Sequence, residues 1–289
     1  MPNGDFHSMI RFREVRDFSQ VLSTAFVFLR QNFKPLLRDL VYVVGPVIII
    51  LAIVQIFYMR LLGGVPETYQ NPNSFLLTFL GLMVCSGLAY VLLYATVNSH
   101  ILLYMQHGPG QYTSAQVVEM VKRFFWRLAV GMFVAMLLVG VGFMLCGIPG
   151  IYFYGVLSIF PMVLMAEDRD ALSPIGRSFD LVSGHWWQTF LLVVVASFLQ
   201  FSLGWMVMIP NTVAQYVMQL GTAGVVELSG AQQALLMVLA TLGTVVGTLL
   251  YAITCTVTAV QYFNLVERKE LVGLQERIEQ IALPAGEIG

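Results

Sequence analysis

The side chains best able to do chemistry in this chain are a few polar residues inside long apolar stretches. Amide, hydroxyl and imidazole groups there can bind a solute or a proton, and they are costly to bury in a membrane. No predicted span contains a mid-membrane Asp, Glu, Lys or Arg, which argues against a proton-coupled pump or an ion carrier but leaves a passive or lipid pathway open. The polar residues are Gln55, Asn98, Ser99, His100, Gln200, Gln215, Gln219 and Asn264.

The histidines and cysteines do not predict a metal centre or any cofactor. His100 and His107 share a helix face but lie about 10 Å apart along the axis, whereas shared ligation prefers spacings of three or four residues. The chain has four histidines, too few for a membrane di-iron or zinc enzyme. Cys85, Cys146 and Cys255 are widely spaced inside apolar runs, as expected of small buried hydrophobes.

A charged cluster follows the predicted fourth span. Arg177 and Asp180 are three residues apart on a predicted helix and can pair. We interpret the cluster as a solvated set of paired charges, and contact with a lipid headgroup or a protein partner stays open. The sequence has no GxSxG, P-loop, GxGxxG or HExxH motif, so no enzyme is predicted. The cluster contains Glu167, Asp168, Arg169, Asp170, Arg177 and Asp180.

Membrane-spanning helices are the elements that must position these residues. Only 11% of the 289 residues are charged, against about 25% in soluble domains. A net charge of −1 gives no polyanion-binding character, so no nucleic-acid partner is predicted. Four long runs contain no Asp, Glu, Lys or Arg: Thr68–Val118, Leu128–Ala166, Leu181–Val226 and Leu228–Val266. A fifth charge-free run, Leu40–Met59, has the length of one span.

These runs predict six membrane-spanning helices. Gly147-Ile148-Pro149-Gly150 divides one run into two spans, because proline cannot continue the hydrogen-bond ladder of a helix. Pro210-Asn211 is expected to end the fifth span, and Pro46 to kink the first. The expected bounds are about Leu36–Leu61, Ser74–Met105, two spans within Leu128–Ala166, Trp186–Ile209 and Gln233–Phe263.

The positions of the basic residues predict the orientation. All fifteen Lys and Arg residues except Arg60 fall on one side of the six spans. The positive-inside rule then places both termini in the cytoplasm. The sequence shows no secretory signal peptide, so the first span is expected to be an uncleaved anchor. We therefore predict a multi-pass protein of the bacterial inner (plasma) membrane.

A threefold pattern precedes the odd-numbered spans. Asp17–Leu37, Tyr112–Leu128 and Asp170–Phe190 each combine an amphipathic segment, an aromatic step and the start of a span. The third has Leu172, Ile175, Phe179 and Val182 at helical spacing. Each segment is interpreted as an interfacial helix with its apolar face in the acyl boundary. The candidate lipid or interface contacts are Phe33, Trp126, Arg177, Phe179, Trp186 and Trp187.

The predicted fold is therefore all-α. Six spans form three hairpins, each preceded by a cytoplasmic amphipathic interfacial helix. Residues 1–16 are expected to be a polar N-terminal segment, 17–266 the membrane domain, and 267–289 a cytoplasmic helix and tail. The candidate intramembrane polar residues are Asn98, His100, Gln200 and Asn264.

The segment Ile148–Phe190 resembles the membrane domain that is fused to some bacterial glycerophosphoryl diester phosphodiesterases, and its stand-alone six-span relatives of unknown function. Its cues are Pro149-Gly150 at the entry to a span, Pro161 followed by Glu167, Arg177-Ser178-Phe179, and the step Gly184-His185-Trp186. The resemblance implies architecture only. The phosphodiesterase activity of that family belongs to a separate soluble barrel, whose acid and histidine motif is not found in this sequence.

Three functional hypotheses follow from the sequence. The first is a non-enzymatic protein that binds or organises membrane lipids, or that supports an unidentified membrane-protein partner. The second is a transporter or channel for a neutral or amphipathic solute, with a polar cavity lined by Asn98, Gln200 or Asn264. The third, a membrane enzyme acting on lipids, needs a nucleophile, a base or a metal cluster at one depth, and none is visible.

Overall fold

The computed structural model describes residues 10–63, 72–221 and 229–271. Within these residues the chain is helical and has no strand. It forms α1 (Phe18–Gln31), α2 (Phe33–Gly63), α3 (Pro72–His107), α4 (Ser114–Cys146), α5 (Ile148–Leu157), α6 (Phe160–Ala166), α7 (Ser173–Val182), α8 (Trp186–Gly221), α9 (Gly230–Leu250) and α10 (Ala252–Glu270). The helix predicted within 267–289 lies outside the described residues beyond Leu271.

Six helical segments of the described chain are long and apolar enough to cross a membrane. Their number agrees with the six spans predicted from the charge-free runs, and they are consistent with an integral, multi-pass membrane protein. They are Phe33–Tyr58, Asn73–His107, Ser114–Cys146, Ile148–Ala166, Trp186–Ala214 and Gly230–Glu270.

Three helices begin at capping boxes, in which an Asp, Thr or Ser is followed three residues later by Gln. Thr113 Oγ1 accepts a hydrogen bond from Gln116 N at 3.4 Å, and Gln116 Oε1 accepts one from Thr113 N at 2.8 Å. Ser229 and Gln232 repeat this exchange at the start of α9. At α1, Gln20 Oε1 accepts from Asp17 N. Such pairs satisfy backbone N–H groups that have no partner inside the helix, and so they fix where each helix begins.

Of the two places where proline is predicted to end a helix, the structure shows a helix end at one. Gly147, at φ 81°, separates α4 from α5, as expected for the Gly-Ile-Pro-Gly segment. The prediction that the fifth span ends at Pro210 is wrong, because α8 continues through it to Gly221. There the Thr212 hydroxyl donates to the Met208 carbonyl at 3.1 Å. Such side-chain bonds help a helix to tolerate a proline within a membrane.

Two predicted spans are broken at positions where the sequence predicts continuous helix. The fourth divides into α5 and α6 at Ser158 and Ile159, because Pro161 has no N–H to donate to the carbonyl of Leu157 four residues earlier. The sixth divides into α9 and α10 at Tyr251.

The helices preceding the spans differ among the three predicted copies. The first segment forms α1, which is separated from α2 at Asn32, and the third forms α7. The second is not a separate helix, because α4 runs without a break from Ser114 to Cys146. α1 buries Val21, Ala25 and Phe28 at helical spacing.

The chain divides into two compact units. The first unit takes its described residues from Met1–Asp39, Tyr94–Ala196 and Ile253–Gly289. The second takes its residues from Leu40–Leu93 and Ser197–Ala252. In the second unit, Tyr90 and Tyr251 pack edge to face with ring centroids 4.8 Å apart.

An aromatic cluster forms part of the core of the first unit. The Phe12 ring lies 5.5 Å from Phe28, 5.9 Å from Tyr104 and 5.7 Å from Phe263, measured between centroids. These are favourable distances for aromatic pairs. Phe12 belongs to the segment predicted to be polar, so the described part of that segment contributes a buried ring to the core.

Candidate functional site

A buried polar cluster joins the beginnings of α2 and α4 to the end of α3 in the first unit. We call it the Asp39 cluster. Asp39 lies near the start of α2, His100 lies on α3, and the capping box at Thr113 begins α4 at the adjacent Ser114. The cluster consists of Arg38, Asp39, His100, Tyr112 and Ser114.

Asp39 is the centre of this cluster. Its Oδ1 accepts from the Ser114 hydroxyl at 2.6 Å and from Arg38 Nε at 3.1 Å. Its Oδ2 lies 3.0 Å from His100 Nε2. On the far side of the imidazole, His100 Nδ1 lies 3.1 Å from the Tyr112 hydroxyl. A continuous path of polar atoms therefore leads from Tyr112 through the imidazole to the carboxylate.

The contact between His100 and Asp39 is close but does not meet the geometry of an aligned hydrogen bond. Nε2 and Oδ2 are 3.0 Å apart, yet Nε2 has no aligned hydrogen-bond partner among the described residues. This separation is within the usual range for N–H···O. A tilt of the imidazole is therefore enough to align the bond.

The cluster is buried at its centre and open at its ends. Asp39 is 2% exposed and His100 0%, whereas the Arg38 side chain is 66% exposed. Burial and the negative charge of Asp39 raise the pKa of Tyr112 to about 12, so its phenol stays neutral at physiological pH. Both Asp39 and His100 lie in candidate spans, where ionisable residues are expensive and are functional candidates by default.

The arrangement suits proton transfer rather than nucleophilic catalysis. In a serine-type triad the imidazole sits between the hydroxyl and the carboxylate. In this cluster Ser114 bonds to Asp39 directly, so His100 is not placed to take its proton. The imidazole instead lies between the Tyr112 hydroxyl and a carboxylate.

A second cluster links the end of α6 to α7 and α10. Glu167 Oε1 accepts from Arg177 Nε at 3.0 Å and from the Tyr262 hydroxyl at 3.2 Å, while Oε2 pairs with Arg169. Arg177 also pairs with Glu270. Burial alone lowers the pKa of Arg177, but the hydrogen bonds to Glu270 and Glu167 outweigh it and raise the pKa. This cluster therefore consists of charges that are paired with one another.

A chain of buried amides continues the polar core along α10. Gln261 Nε2 donates to Thr189 Oγ1 at 2.9 Å, and Asn264 Nδ2 donates to Gln261 Oε1 at 3.0 Å. Asn264 Oδ1 accepts from the backbone N–H of Arg16 at 2.8 Å. Asn264 therefore connects the segment before α1 to α10. Within that segment, burial lowers the pKa of Arg16, and the negative charge of Glu14 opposes this shift.

The predicted intramembrane polar residues are distributed over both units. Asn98, His100 and Asn264 are buried in the first unit, whereas Gln200 is half-buried in the second. His100 and Asn264 belong to the two different networks described above. Among the described residues, neither amide atom of Asn98 has a hydrogen-bond partner. The side chains of Gln215 and Gln219 lie outside those described.

The predicted lipid contacts divide into exposed and packed side chains. Phe33, Trp126 and Trp187 are exposed. Trp186 is half-buried, stacks on Phe190 at 5.0 Å between centroids, and donates from Nε1 to the Tyr152 carbonyl at 3.2 Å. The remaining two also contact protein groups: Phe179 packs on Tyr152 and Phe153, and Arg177 pairs with Glu167 and Glu270.

The most important residue that the sequence reasoning missed is Asp39. It falls inside the predicted first span, directly after Arg38, which the positive-inside rule treats as a marker of the span boundary. The signal that could have found it is an acidic residue within a span, together with His100 near the same predicted face of the membrane.

A scan against protein-family models found no match. Comparisons with curated proteins and with solved structures likewise found none. The resemblance to the phosphodiesterase-associated membrane domain therefore stays a prediction.

Proposed function

We propose that this chain is a non-enzymatic protein of the bacterial inner membrane that binds anionic lipid at its cytoplasmic side, and in this way organises lipid or supports a membrane-protein partner. In this proposal α1 and α7 lie in the interface ahead of helical hairpins, and both termini are cytoplasmic. The observation that carries the proposal is one face of α4, where cations and an exposed tryptophan precede an apolar stripe.

The first turns of α4 carry what we call the α4 rim: Lys122, Arg123, Trp126 and Arg127. The indole of Trp126 is 74% exposed, and Lys122 and Arg123 are exposed beside it. Tryptophan favours the headgroup level, where its apolar ring and its polar N–H are both accommodated. Basic side chains at that level attract anionic lipid by about 1 kcal/mol each.

An exposed apolar stripe continues from the α4 rim along the same helix face. Val130, Phe133 and Leu137 follow Trp126 at helical spacing, and all are exposed. Side chains of this kind fit acyl chains, while the cations of the α4 rim fit a phosphodiester. The order of cations, ring and apolar stripe along α4 therefore matches the order of groups along a phospholipid.

The charge of the α4 rim is partly compensated within the chain. Asp168 accepts from Arg127 at 2.9 Å and also pairs with Arg123. These side chains are substantially exposed, and pairs of that kind contribute little to stability. A lipid phosphate therefore competes with Asp168 at little energetic cost to the fold.

Removing two cations of the α4 rim is expected to remove its preference for anionic lipid. Lys122→Gln/Arg123→Gln should weaken binding of phosphatidylglycerol by roughly tenfold or more, since each cation contributes about 1 kcal/mol. Binding of zwitterionic phosphatidylethanolamine should change little. Native mass spectrometry of the purified protein, titrated with each lipid, measures both affinities.

The matched control keeps the charge and changes only the side chains. Lys122→Arg/Arg123→Lys should bind phosphatidylglycerol as the unchanged protein does. Equal binding of phosphatidylglycerol by the glutamine variant and the unchanged protein would count against the α4 rim. So would equal weakening in both variants, because that points to a local structural effect rather than to charge.

A transporter or channel for a neutral or amphipathic solute is the second candidate. Asn98 favours it, because its amide is 1% exposed and has no hydrogen-bond partner among the described residues. A buried amide without a partner is costly and is suited to bind a polar molecule. Reconstituted vesicles that equilibrate a neutral solute, and lose that property with Asn98→Leu, would favour this function over lipid binding.

A further inference from the structure

The Asp39 cluster has features that a purely structural ion pair does not need. A structural pair requires a carboxylate and a cation, and Arg38 already provides the cation at 3.1 Å. The cluster adds a fully buried imidazole and a half-buried phenol in line behind it. Ionisable groups inside spans commonly mark proton or ion pathways.

We propose that Asp39 and His100 form a proton-binding site that exchanges with solvent through Tyr112. The ligand is a single proton, held between the imidazole and the carboxylate. This site is separate from the α4 rim and shares no residue with it, so either proposal can fail without the other.

The uptake of a proton can be written as one balanced transfer. The Tyr112 hydroxyl accepts a proton from hydronium and gives its own proton to His100 Nδ1. The imidazole then passes its Nε2 proton to Asp39 Oδ2. The phenol is restored, the imidazole is neutral in its other tautomer, and the carboxylate has become a carboxylic acid. One proton is gained, and release follows the reverse order.

The surroundings of the imidazole are consistent with this role. The titratable groups that face it are Arg38 and Asp39 from α2 and Tyr112 from the connection to α4, and Tyr104 from α3 acts in turn on Tyr112. α4 contributes the Ser114 hydroxyl, which bonds to Asp39 Oδ1 and leaves Oδ2 toward the imidazole. Because the pKa of Tyr112 is about 12, its phenol relays a proton without remaining ionised.

Infrared difference spectra between acidic and neutral pH test the site directly, on the full chain reconstituted in lipid. Among the bands of all the carboxyls that titrate, we expect one that shifts on exchange into D₂O and is missing from Asp39→Asn, whose amide still accepts from Ser114. Asp180→Asn is the control, because Asp180 is exposed and should leave that band unchanged. The same band in the Asp39→Asn spectrum would overturn the proposal.

A second variant keeps the proposal testable should Asp39→Asn fail to fold. Tyr112→Phe retains the ring and removes the hydroxyl that relays the proton. After a pH jump, its carboxyl band should approach equilibrium at least about tenfold more slowly, since positioned proton-transfer groups contribute factors of 10² or more. The final amplitude should match that of the unchanged protein. An unchanged rate would overturn the relay.

Discussion

Asp39→Ala is expected to lower the free energy of unfolding by about 1 to 3 kcal/mol, because it leaves buried polar groups without a hydrogen-bond partner. His100 then remains fully buried without the neighbouring carboxylate, and Ser114 loses its acceptor. Urea or SDS unfolding of the purified protein in micelles, followed by circular dichroism, measures the change.

Two further variants separate this effect from a general loss of charge. Asp180→Ala removes an exposed carboxylate and should change the stability by no more than about 0.5 kcal/mol. Asp39→Ala/His100→Ala should be less destabilised than the sum of its two single variants, because both remove the same contact. Equal stability of Asp39→Ala and Asp180→Ala would show that the Asp39 cluster does not hold α2, α3 and α4 together.

Gly142→Ala is expected to destabilise the contact between α4 and α5 by about 1 to 3 kcal/mol, the range for overpacking. A Cβ at Gly142 would lie 2.7 Å from the backbone nitrogen of Gly150 and 2.8 Å from its Cα. Backbone atoms cannot rotate away as a side chain can, so the helices have to separate. The same unfolding assay measures the loss.

Gly140 provides a matched control two residues earlier on the same helix. A Cβ there would meet nothing within 4 Å. Gly140→Ala should therefore be neutral, or more stable by up to about 1 kcal/mol, since alanine is the better helix former. Similar losses for Gly140→Ala and Gly142→Ala would mean that propensity, and not close packing at Gly150, governs this helix pair.

The helical character and the number of candidate spans could be predicted because they depend on local composition. Long runs without charge have few alternatives to a span when water is excluded. Gly147 could be recognised as a boundary for the same kind of reason, since Gly-Ile-Pro-Gly ends a helix by its own backbone preferences.

The details within the helices depend on neighbours that the sequence does not show. Pro210 has the local character of a helix end, but its effect depends on how the freed carbonyls are satisfied, and α8 continues. Tyr251 breaks the last predicted span without a Gly or Pro beside it.

The candidate site could be predicted only in part. His100 and Asn264 are recognisable as polar residues within apolar runs, but their partners are distant in sequence. Asp39 pairs with Ser114 across 75 positions, and Gln261 with Thr189 across 72. The preference of tryptophan for the lipid interface predicts that location for Trp186, yet its Nε1 donates to the carbonyl of Tyr152, 34 positions away. Pairing between distant positions is a property of the fold and is not encoded in local spacing.

The lipid-binding role requires a six-span membrane protein whose basic residues lie on the cytoplasmic side. Cys146 tests this arrangement directly, because it is exposed at the turn between α4 and α5, whereas Cys85 is half-buried and Cys255 buried. In intact cells a membrane-impermeant maleimide should label the protein at Cys146, and Cys146→Ser should abolish the labelling. In that background, Gln111→Cys, on the opposite connection, should be labelled only after the membrane is opened. Labelling of Gln111→Cys in intact cells, together with no labelling of Cys146 in the unchanged protein, would contradict the orientation and the lipid-binding face built on it.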